Sequence, residues 1–181
     1  MTTALREYPS DLLDDVTCSD SGRLHIRPLR PGEDAPVREL DARLSRRTRY
    51  LRFFSPMPAL PESVLRLLVS MDHRRGLSLV AEVDAGDRPE VVGLGTFWAI
   101  DHGTAEIGLV ICDEWQRRGV GTILADCVMQ AAEDRGLARF VVHLLAENVG
   151  TRRLIKRLGD VVSTTMSGAV SEVTFIRRSS T

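Results

Sequence analysis

The alternation of apolar and polar positions is clearest between residues 105 and 111, where every second residue from Ala105 to Ile111 is apolar. This period of two predicts a β-strand. From Val120 to Ala131 the apolar residues instead recur at helical spacing, which predicts one apolar helix face. The segment Gln116-Arg117-Arg118-Gly119-Val120-Gly121 links the two patterns. We therefore predict a strand, a glycine-containing turn and a helix, and interpret the rest of the chain around this unit.

The same patterns predict a domain in which helices and strands alternate. Asp34, Ser45 and Asn148 are placed to cap three of its helices, since their side chains can accept a hydrogen bond from a helix N-terminus. Further strands are predicted at 24–29, 77–83, 91–100, 140–145, 161–167 and 169–176, and further helices at 34–44, 63–70 and 148–158, with a short one after Ser45. Because antiparallel pieces stand at both ends, we predict a mixed α/β (α+β) sheet.

Composition narrows the classes of function. A chain of 181 residues suits one domain, and its net charge of −1 gives no general attraction to nucleic acid or anionic membranes. Its three cysteines (Cys18, Cys112 and Cys127) lack the spacing of a metal site, and an odd number favours a reducing cytoplasm. No apolar stretch reaches the ~20 residues of a membrane span. We predict an acidic tail at 1–22 without a signal peptide, followed by a domain at 23–179.

The turn before Val120 is the strongest candidate for ligand binding. A helix start has backbone N–H groups without intrahelical partners and carries partial positive charge, and glycine allows a ligand to approach closely. A phosphorylated ligand would fit there. The chain has no Gly-Lys-Ser/Thr triplet of a P-loop. The third small residue of a dinucleotide fingerprint is also missing, because Leu124 follows Gly121 at the required spacing.

The turn instead resembles the Gln/Arg-x-x-Gly-x-Gly/Ala motif of the GNAT superfamily of N-acetyltransferases. Gln116, Gly119 and Gly121 occupy its defining positions. The segments 49–55 and 105–107 are similar to bacterial protein-lysine acetyltransferases. The resemblance implies a single GNAT-like domain with a mostly antiparallel mixed sheet, helices on both faces, and two central strands, 105–111 and 140–145, that splay apart. It implies acetyl-CoA as cosubstrate and direct acetyl transfer to a primary amine, such as a protein lysine, in a ternary complex.

The resemblance also implies where acetyl-CoA binds. A backbone N–H of Leu109 or Val110 would stabilise the oxyanion if the strands separate there. The residues expected to contact the cofactor are Leu109, Val110, Ile111, Gln116, Arg117, Arg118, Gly119, Val120, Gly121, Thr122 and Asn148.

Amine deprotonation requires a base, and two residues are candidates. Glu106 lies among apolar residues of the cofactor strand, where desolvation would raise its pKa, and the resembling branch has a glutamate at this position. The alternative is a glutamate that points to solvent. His143 is the second candidate, although a histidine in an apolar run is more often a core residue.

Two residues depart from the family pattern. Ile155 stands where many members have a tyrosine that protonates the leaving sulfur, and Asp160 stands in place of a phenylalanine. Either CoA leaves without a side-chain acid, or the chain is a catalytically silent acyl-CoA sensor. A covalent route through Cys112 is disfavoured, because the neighbouring Asp113 and Glu114 oppose a thiolate.

Five arginines lie within ten residues: Arg43, Arg46, Arg47, Arg49 and Arg52. A solvated helix face is the leading interpretation, and the alternatives are a nucleic-acid-binding module or guidance of an acidic substrate. We expect no nucleic-acid or membrane partner, and a monomer or homodimer. The acceptor amine stays open.

Overall fold

Eight strands form one sheet and five α-helices cover its faces in the residues that the computed structural model describes, namely Pro9, Leu12, 14–18 and 22–178. The strands are β1 (Asp14–Cys18), β2 (Gly22–Pro28), β3 (Gly76–Asp84), β4 (Pro89–Asp101), β5 (Thr104–Ile111), β6 (Arg139–Leu145), β7 (Gly159–Ser167) and β8 (Val170–Arg177). The helices are α1 (Ala35–Arg43), α2 (Arg46–Phe53), α3 (Glu62–Val69), α4 (Val120–Glu133) and α5 (Val149–Leu158).

The sheet has the strand order β1-β2-β3-β4-β5-β6-β8-β7. Every neighbouring pair is antiparallel except β5 and β6, which are parallel. The parallel pairing covers only three positions and ends at Glu106 opposite Val141. Beyond that point the two strands separate, whereas β5 stays paired with β4 as far as Ile111. The predicted mixed sheet and its splayed central pair are confirmed.

Two apolar cores lie on opposite faces of this sheet. On one face, α1 and α3 pack with Val80, Leu94 and Val110. On the other, α4 packs with Ile107 and Ile111. Because side chains alternate along a strand, β5 sends its odd-numbered residues towards α4 and its even-numbered residues towards α1–α3. Helices on both faces were predicted and are confirmed. Among the described residues, none of the helices is long and apolar enough to cross a membrane.

The N-terminal region differs from its prediction. Within the expected tail, residues 14–18 form the edge strand β1, which pairs antiparallel with β2. Val16 and Thr17 are β-branched and favour this conformation, but the flanking aspartates hide the pattern. The remaining residues of the stretch 1–13, apart from Pro9 and Leu12, lie outside the described residues, as do 19–21.

The predicted helix caps had mixed outcomes. Ser45 and Asn148 each accept a hydrogen bond from the third residue of α2 and α5, as predicted. Asp34 precedes α1, but its side chain makes no capping hydrogen bond. Its carboxylate instead binds Arg38, one turn along the helix, at 2.8 Å. That capping prediction was therefore wrong, because a charged partner within the same helix competes for the carboxylate.

Candidate active site

The gap between β5 and β6 exposes backbone groups in the middle of the sheet. The N–H of Cys112, just after β5, donates to Val92 O on β4 at 2.9 Å. Since successive residues of a strand point their N–H groups to alternate sides, Val110 also faces β4 and Leu109 faces β6. No pairing with β6 is recorded along this part of β5. Of the two amides expected to serve an oxyanion, the geometry favours that of Leu109.

The glycine turn opens the start of α4 to solvent. Gly119 precedes the helix with a φ of 85°, in the left-handed region that favours glycine, and Arg117 also has a positive φ, of 61°. Among the described residues, no side chain caps α4, in contrast to α2 and α5. Arg117, Arg118 and Gly119 are exposed. Within the first turn of α4, Val120 is fully buried and the Thr122 N–H donates to Gly119 O, whereas Gly121 is partly exposed. The accessible N–H of this helix start therefore lies beside two cations, an arrangement that suits an anion.

Several predicted cofactor residues use their side chains within the protein. The Gln116 amide donates to Ile111 O at 3.0 Å and to Thr48 Oγ1 at 3.1 Å, which ties the turn to β5 and α2. Val120 is fully buried, and Asn148 accepts from the Thr151 N–H at 3.1 Å. Any contact of Gln116 or Asn148 with a cofactor would therefore go chiefly through the backbone, whereas Val120 is not accessible.

Asp113 fixes α2 against the end of β5. Its carboxylate accepts hydrogen bonds from the Ser45 N–H at 2.9 Å and from the hydroxyls of Ser45 and Thr48 at 2.7 Å. Burial by itself raises the pKa of Asp113, but these three hydrogen bonds outweigh it and lower the pKa overall. Asp113 therefore acts as a structural anchor between α2 and the end of β5.

The two predicted base candidates lie together where β5 and β6 separate. His143 Nδ1 is 3.6 Å from Glu106 Oε1, and His143 Nε2 is 3.2 Å from Glu172 Oε2 on β8. Glu106, on an even-numbered position of β5, projects to the face of the sheet that carries α1–α3. The result is a carboxylate–imidazole–carboxylate row across three adjacent strands, in which His143 is within hydrogen-bond distance of Glu172 and slightly farther from Glu106.

The environments of these residues differ from those expected. The Glu106 side chain is 49% exposed, so the predicted desolvation by apolar neighbours is wrong. His143 is 34% exposed and contacts two carboxylates rather than a closed core. Glu172 was missed, because its position beside His143 depends on the register of β6 against β8. The alternation in the predicted strand 169–176 was the available signal.

The leading interpretation was that the clustered arginines form one solvated helix face. The structure shows that they do not. Arg49 is 6% exposed and pairs with Asp41 at 2.9 Å. Arg43 binds Glu90 at 2.6 Å, and Arg47 binds Glu147 at 3.3 Å. Each of these guanidiniums is paired with a carboxylate of the protein. In a solvated helix face or a nucleic-acid-binding surface, the guanidiniums would instead be available to water or to phosphates.

Cys112 and Ile155 do not offer side-chain chemistry. Burial raises the pKa of the Cys112 thiol, Asp113 and Glu114 raise it further, and Arg43 opposes them. This agrees with the predicted lack of thiolate character. Ile155 is 4% exposed and packs in the core beneath α4. The position that carries a tyrosine in many GNAT members is therefore a packing position here.

A cavity of about 670 Å³ lies away from these residues, where β4 turns into β5 and α4 ends. Its lining includes Arg74, Arg75, His102 and Arg135. The splayed gap lies further along β5, beyond Glu106.

A central sheet with one splayed pair, followed by a helix start at a glycine turn, is the arrangement expected of a GNAT domain. The family model described as an acetyltransferase (GNAT) domain matches residues 23–160. The chain therefore belongs to the GNAT acetyltransferase family, and it is an acyltransferase of that family, as predicted.

Relatives include named acetyltransferases. The chain is 28% identical to acetyltransferase PA5475 of Pseudomonas aeruginosa over 148 residues, which cover 81% of this chain and 80% of that protein. It is 27% identical to acetyltransferase Pat of Mycolicibacterium smegmatis over 139 residues, or 76% of this chain. That match spans only 41% of the length of Pat.

Solved structures share the fold. The GNAT domain of S. lividans PAT superposes with a TM-score of 0.84 at 23% identity, covering 94% of this chain and 99% of that one. The Salmonella typhimurium protein yncA, solved with its cofactor acetyl-CoA, superposes with a TM-score of 0.64 at 15% identity, covering 84% and 91%.

Proposed function

We propose that this protein transfers an acetyl group from acetyl-CoA directly to a primary amine, with Glu106 as general base. The observation that carries the proposal is the Glu106–His143 pair, 3.6 Å apart, at the point where β5 and β6 diverge. A base is needed because an alkylamine with a pKa near 10.4 costs about 4.6 kcal/mol to deprotonate at pH 7. Glu106 takes the proton, while His143 and Glu172 orient its carboxylate.

The acetyl donor would bind along the gap. The uncapped start of α4 and the exposed Arg117 and Arg118 supply the N–H groups and positive charge that suit a diphosphate. The Leu109 N–H, turned towards the gap, suits the oxyanion of the tetrahedral intermediate. Predicted contacts of Gly119, Gly121 and Thr122 belong to the same proposal, although the Thr122 N–H already donates to Gly119 O at 2.9 Å.

The reaction balances without a side-chain acid. Glu106 first takes one proton from the ammonium and releases it to solvent. The neutral nitrogen then forms a bond to the thioester carbon, its second proton passes to Glu106, and the carbon–sulfur bond breaks to release CoA thiolate, which takes a proton from water. A thiol pKa near 8.5 makes this thiolate an adequate leaving group. The buried Ile155 is therefore compatible with turnover. Burial and the raised pKa of Cys112 favour direct transfer over a covalent intermediate.

The acceptor is proposed to be a protein lysine or a small primary amine. The similarity to acetyltransferase Pat and to the S. lividans PAT domain supports the lysine, within the matched region. The experiment is calorimetric titration with acetyl-CoA, followed by CoA-thiol release with lysine peptides and small amines. We expect binding and turnover. Binding without thiol release for any amine would favour the acyl-CoA sensor, and absence of binding would reject both.

A further inference from the structure

Arg52 differs from the other arginines of its cluster, because its guanidinium points inward without a carboxylate in contact. It lies near the end of α2, and its side chain reaches the even-numbered face of β5. There it covers Gly108: a Cβ at that residue would overlap Arg52 Nη2 and lie 2.8 Å from Arg52 Cζ. Glycine at 108 thus provides the space that the guanidinium occupies. The position is built by two elements, α2 and β5, rather than by a flexible surface side chain.

The donors of this guanidinium are not used by the protein. Among residues 22–178, no hydrogen bond or salt bridge of the Arg52 side chain is found, and its close contact is with the Phe53 ring, 5.1 Å from Cζ to the centroid. Burial lowers the pKa of the Arg52 guanidinium, and the attraction of Glu106 only partly offsets this. A partly buried cation with a planar fork of free N–H groups has the geometry that a carboxylate matches in a bidentate way.

The direction of approach indicates which reactant supplies that anion. The start of α4, proposed to hold the diphosphate of acetyl-CoA, packs on the odd-numbered face of β5. Glu106 and Arg52 lie on the opposite face. An amine that gives its proton to Glu106 approaches from this second face and passes Arg52. Two strand positions, about 7 Å along β5, separate residues 106 and 108, a separation that a compact molecule with both an amine and a carboxylate can span.

We propose that Arg52 forms a carboxylate subsite, so that the preferred acceptor is an amine carrying a carboxylate a few bonds away. This inference rests on the proposed function, because Glu106 sets where the amine must lie. The carboxylate could belong to a free amino acid or to an acidic residue beside a peptide lysine, and both present the same group to the guanidinium.

The test compares matched acceptors that differ in one group. One pair is β-alanine and propylamine, and the other is a lysine peptide with Glu or Gln beside the lysine. We expect the carboxylated member of at least one pair to have a kcat/KM about 10- to 100-fold higher, the range of a charge-assisted hydrogen bond. Arg52→Gln should abolish that preference and leave the uncharged acceptor unaffected. Arg46→Gln removes the same charge from an exposed position of α2 and should retain the preference.

Gly108→Ala provides a second variant that keeps the arginine. Its new methyl group would displace the guanidinium, so it should reproduce the selectivity of Arg52→Gln. If Arg52→Gln lowers kcat/KM equally for both members of each acceptor pair, the proposal is overturned, because Arg52 would then act as a counter-charge for Glu106. A preference that depends on Arg52 but follows succinyl-CoA over butyryl-CoA, rather than the acceptor, would also overturn it.

A binding measurement separates this inference from the proposed function. Glutarate, a dicarboxylate without an amine, should raise the melting temperature of the wild type and of Arg46→Gln but not of Arg52→Gln. Absence of stabilisation in the wild type would contradict the subsite, whether or not acetyl transfer is found. Failure of acetyl-CoA binding, with glutarate stabilisation intact, would reject the proposed function alone.

Discussion

Arg27 and Arg52 lie against the same sheet in contrasting surroundings. Arg27, on β2, donates to both oxygens of Glu82 on β3 and to both oxygens of Glu33, with distances from 2.8 to 3.1 Å. Burial alone would lower the pKa of Arg27, but the two carboxylates raise it overall. Burial lowers the pKa of Arg52, which Glu106 attracts without touching.

The difference separates an arginine that holds the fold from one that is available to a ligand. Around Arg27, four carboxylate oxygens accept hydrogen bonds from the guanidinium. Removing any partner would leave a buried charge uncompensated in a low-dielectric environment. Around Arg52, Glu106 and His143, the groups are half-exposed and incompletely paired. We therefore expect variants of the first cluster to change stability and variants of the second to change activity.

The largest effect is expected from Glu106→Gln, which removes the proposed base from the group formed by Arg52, Glu106 and His143. General-base catalysis typically contributes about 100- to 10,000-fold, so kcat should fall within that range. Calorimetry should show acetyl-CoA affinity close to that of the wild type, and the urea midpoint should not change. Glu114→Gln, at an exposed carboxylate beyond the other end of β5, is the control. Turnover at the wild-type level would remove Glu106 from the role of base.

Arg27→Leu should give the reverse result. Glu82, 8% exposed at its side chain, would lose its cation, and breaking a buried pair costs about 3 kcal/mol or more. Urea unfolding measures this loss, while kcat per folded molecule should stay near wild type. Arg46→Leu, at an exposed position, should cost far less. A destabilisation no larger than that of the control would contradict the stabilising role of Arg27, and with it the contrast between Arg27 and Arg52.

The ion-pair cluster of Arg27, Glu33 and Glu82 should also make the stability of the protein dependent on pH. Burial raises the pKa of Glu33, but hydrogen bonds from Arg27 and from the Arg30 N–H outweigh it, so the folded pKa is below the unfolded value of about 4.3. Its contribution is therefore complete above about pH 4.3 and is lost as the pH falls through the folded pKa. Urea midpoints between pH 7 and pH 3 should fall less steeply in Glu33→Gln than in the wild type. Asp87→Asn, in the exposed β3–β4 turn, corrects for the loss of one carboxylate.

The smallest effect is expected at Cys112, the buried residue that follows β5. Cys112→Ala should retain most of the activity, because direct transfer does not use the thiol, and alkylation of the wild type should be slow at neutral pH because burial raises the thiol pKa. Mass spectrometry after brief incubation with acetyl-CoA should find no acetylated Cys112. An acetyl-cysteine that forms and disappears at the rate of turnover would instead indicate a covalent route.

The sequence was sufficient for what is local along the chain. The strand ending at Ile111, the turn around Gly119 and the helix from Val120 each follow from the spacing of nearby residues, and their order carried the family resemblance. The row of Glu106, His143 and Glu172 was beyond such reasoning, because it depends on the pairing of strands that are distant in sequence.

The arginines show the same limit within one helix. Arg49 and Arg52 are three residues apart in α2 and have the same chemistry in the sequence. One meets Asp41 of α1, and the other meets the space over Gly108. Only the tertiary contacts distinguish a buried ion pair from a free guanidinium. Strand β1 was missed in the sequence for a related reason. An edge strand pairs with only one neighbouring strand and can form with little apolar periodicity.

The early end of β5–β6 pairing gives this sheet a weak point at its centre rather than at its rim. Amide hydrogens of Leu109 and Ile111 point into the gap, so they should exchange with deuterated water faster than those of Leu79 or Val80 in β3, although all belong to interior strands. A ligand lying in that gap would occupy the place of a further strand and should slow exchange at these two amides.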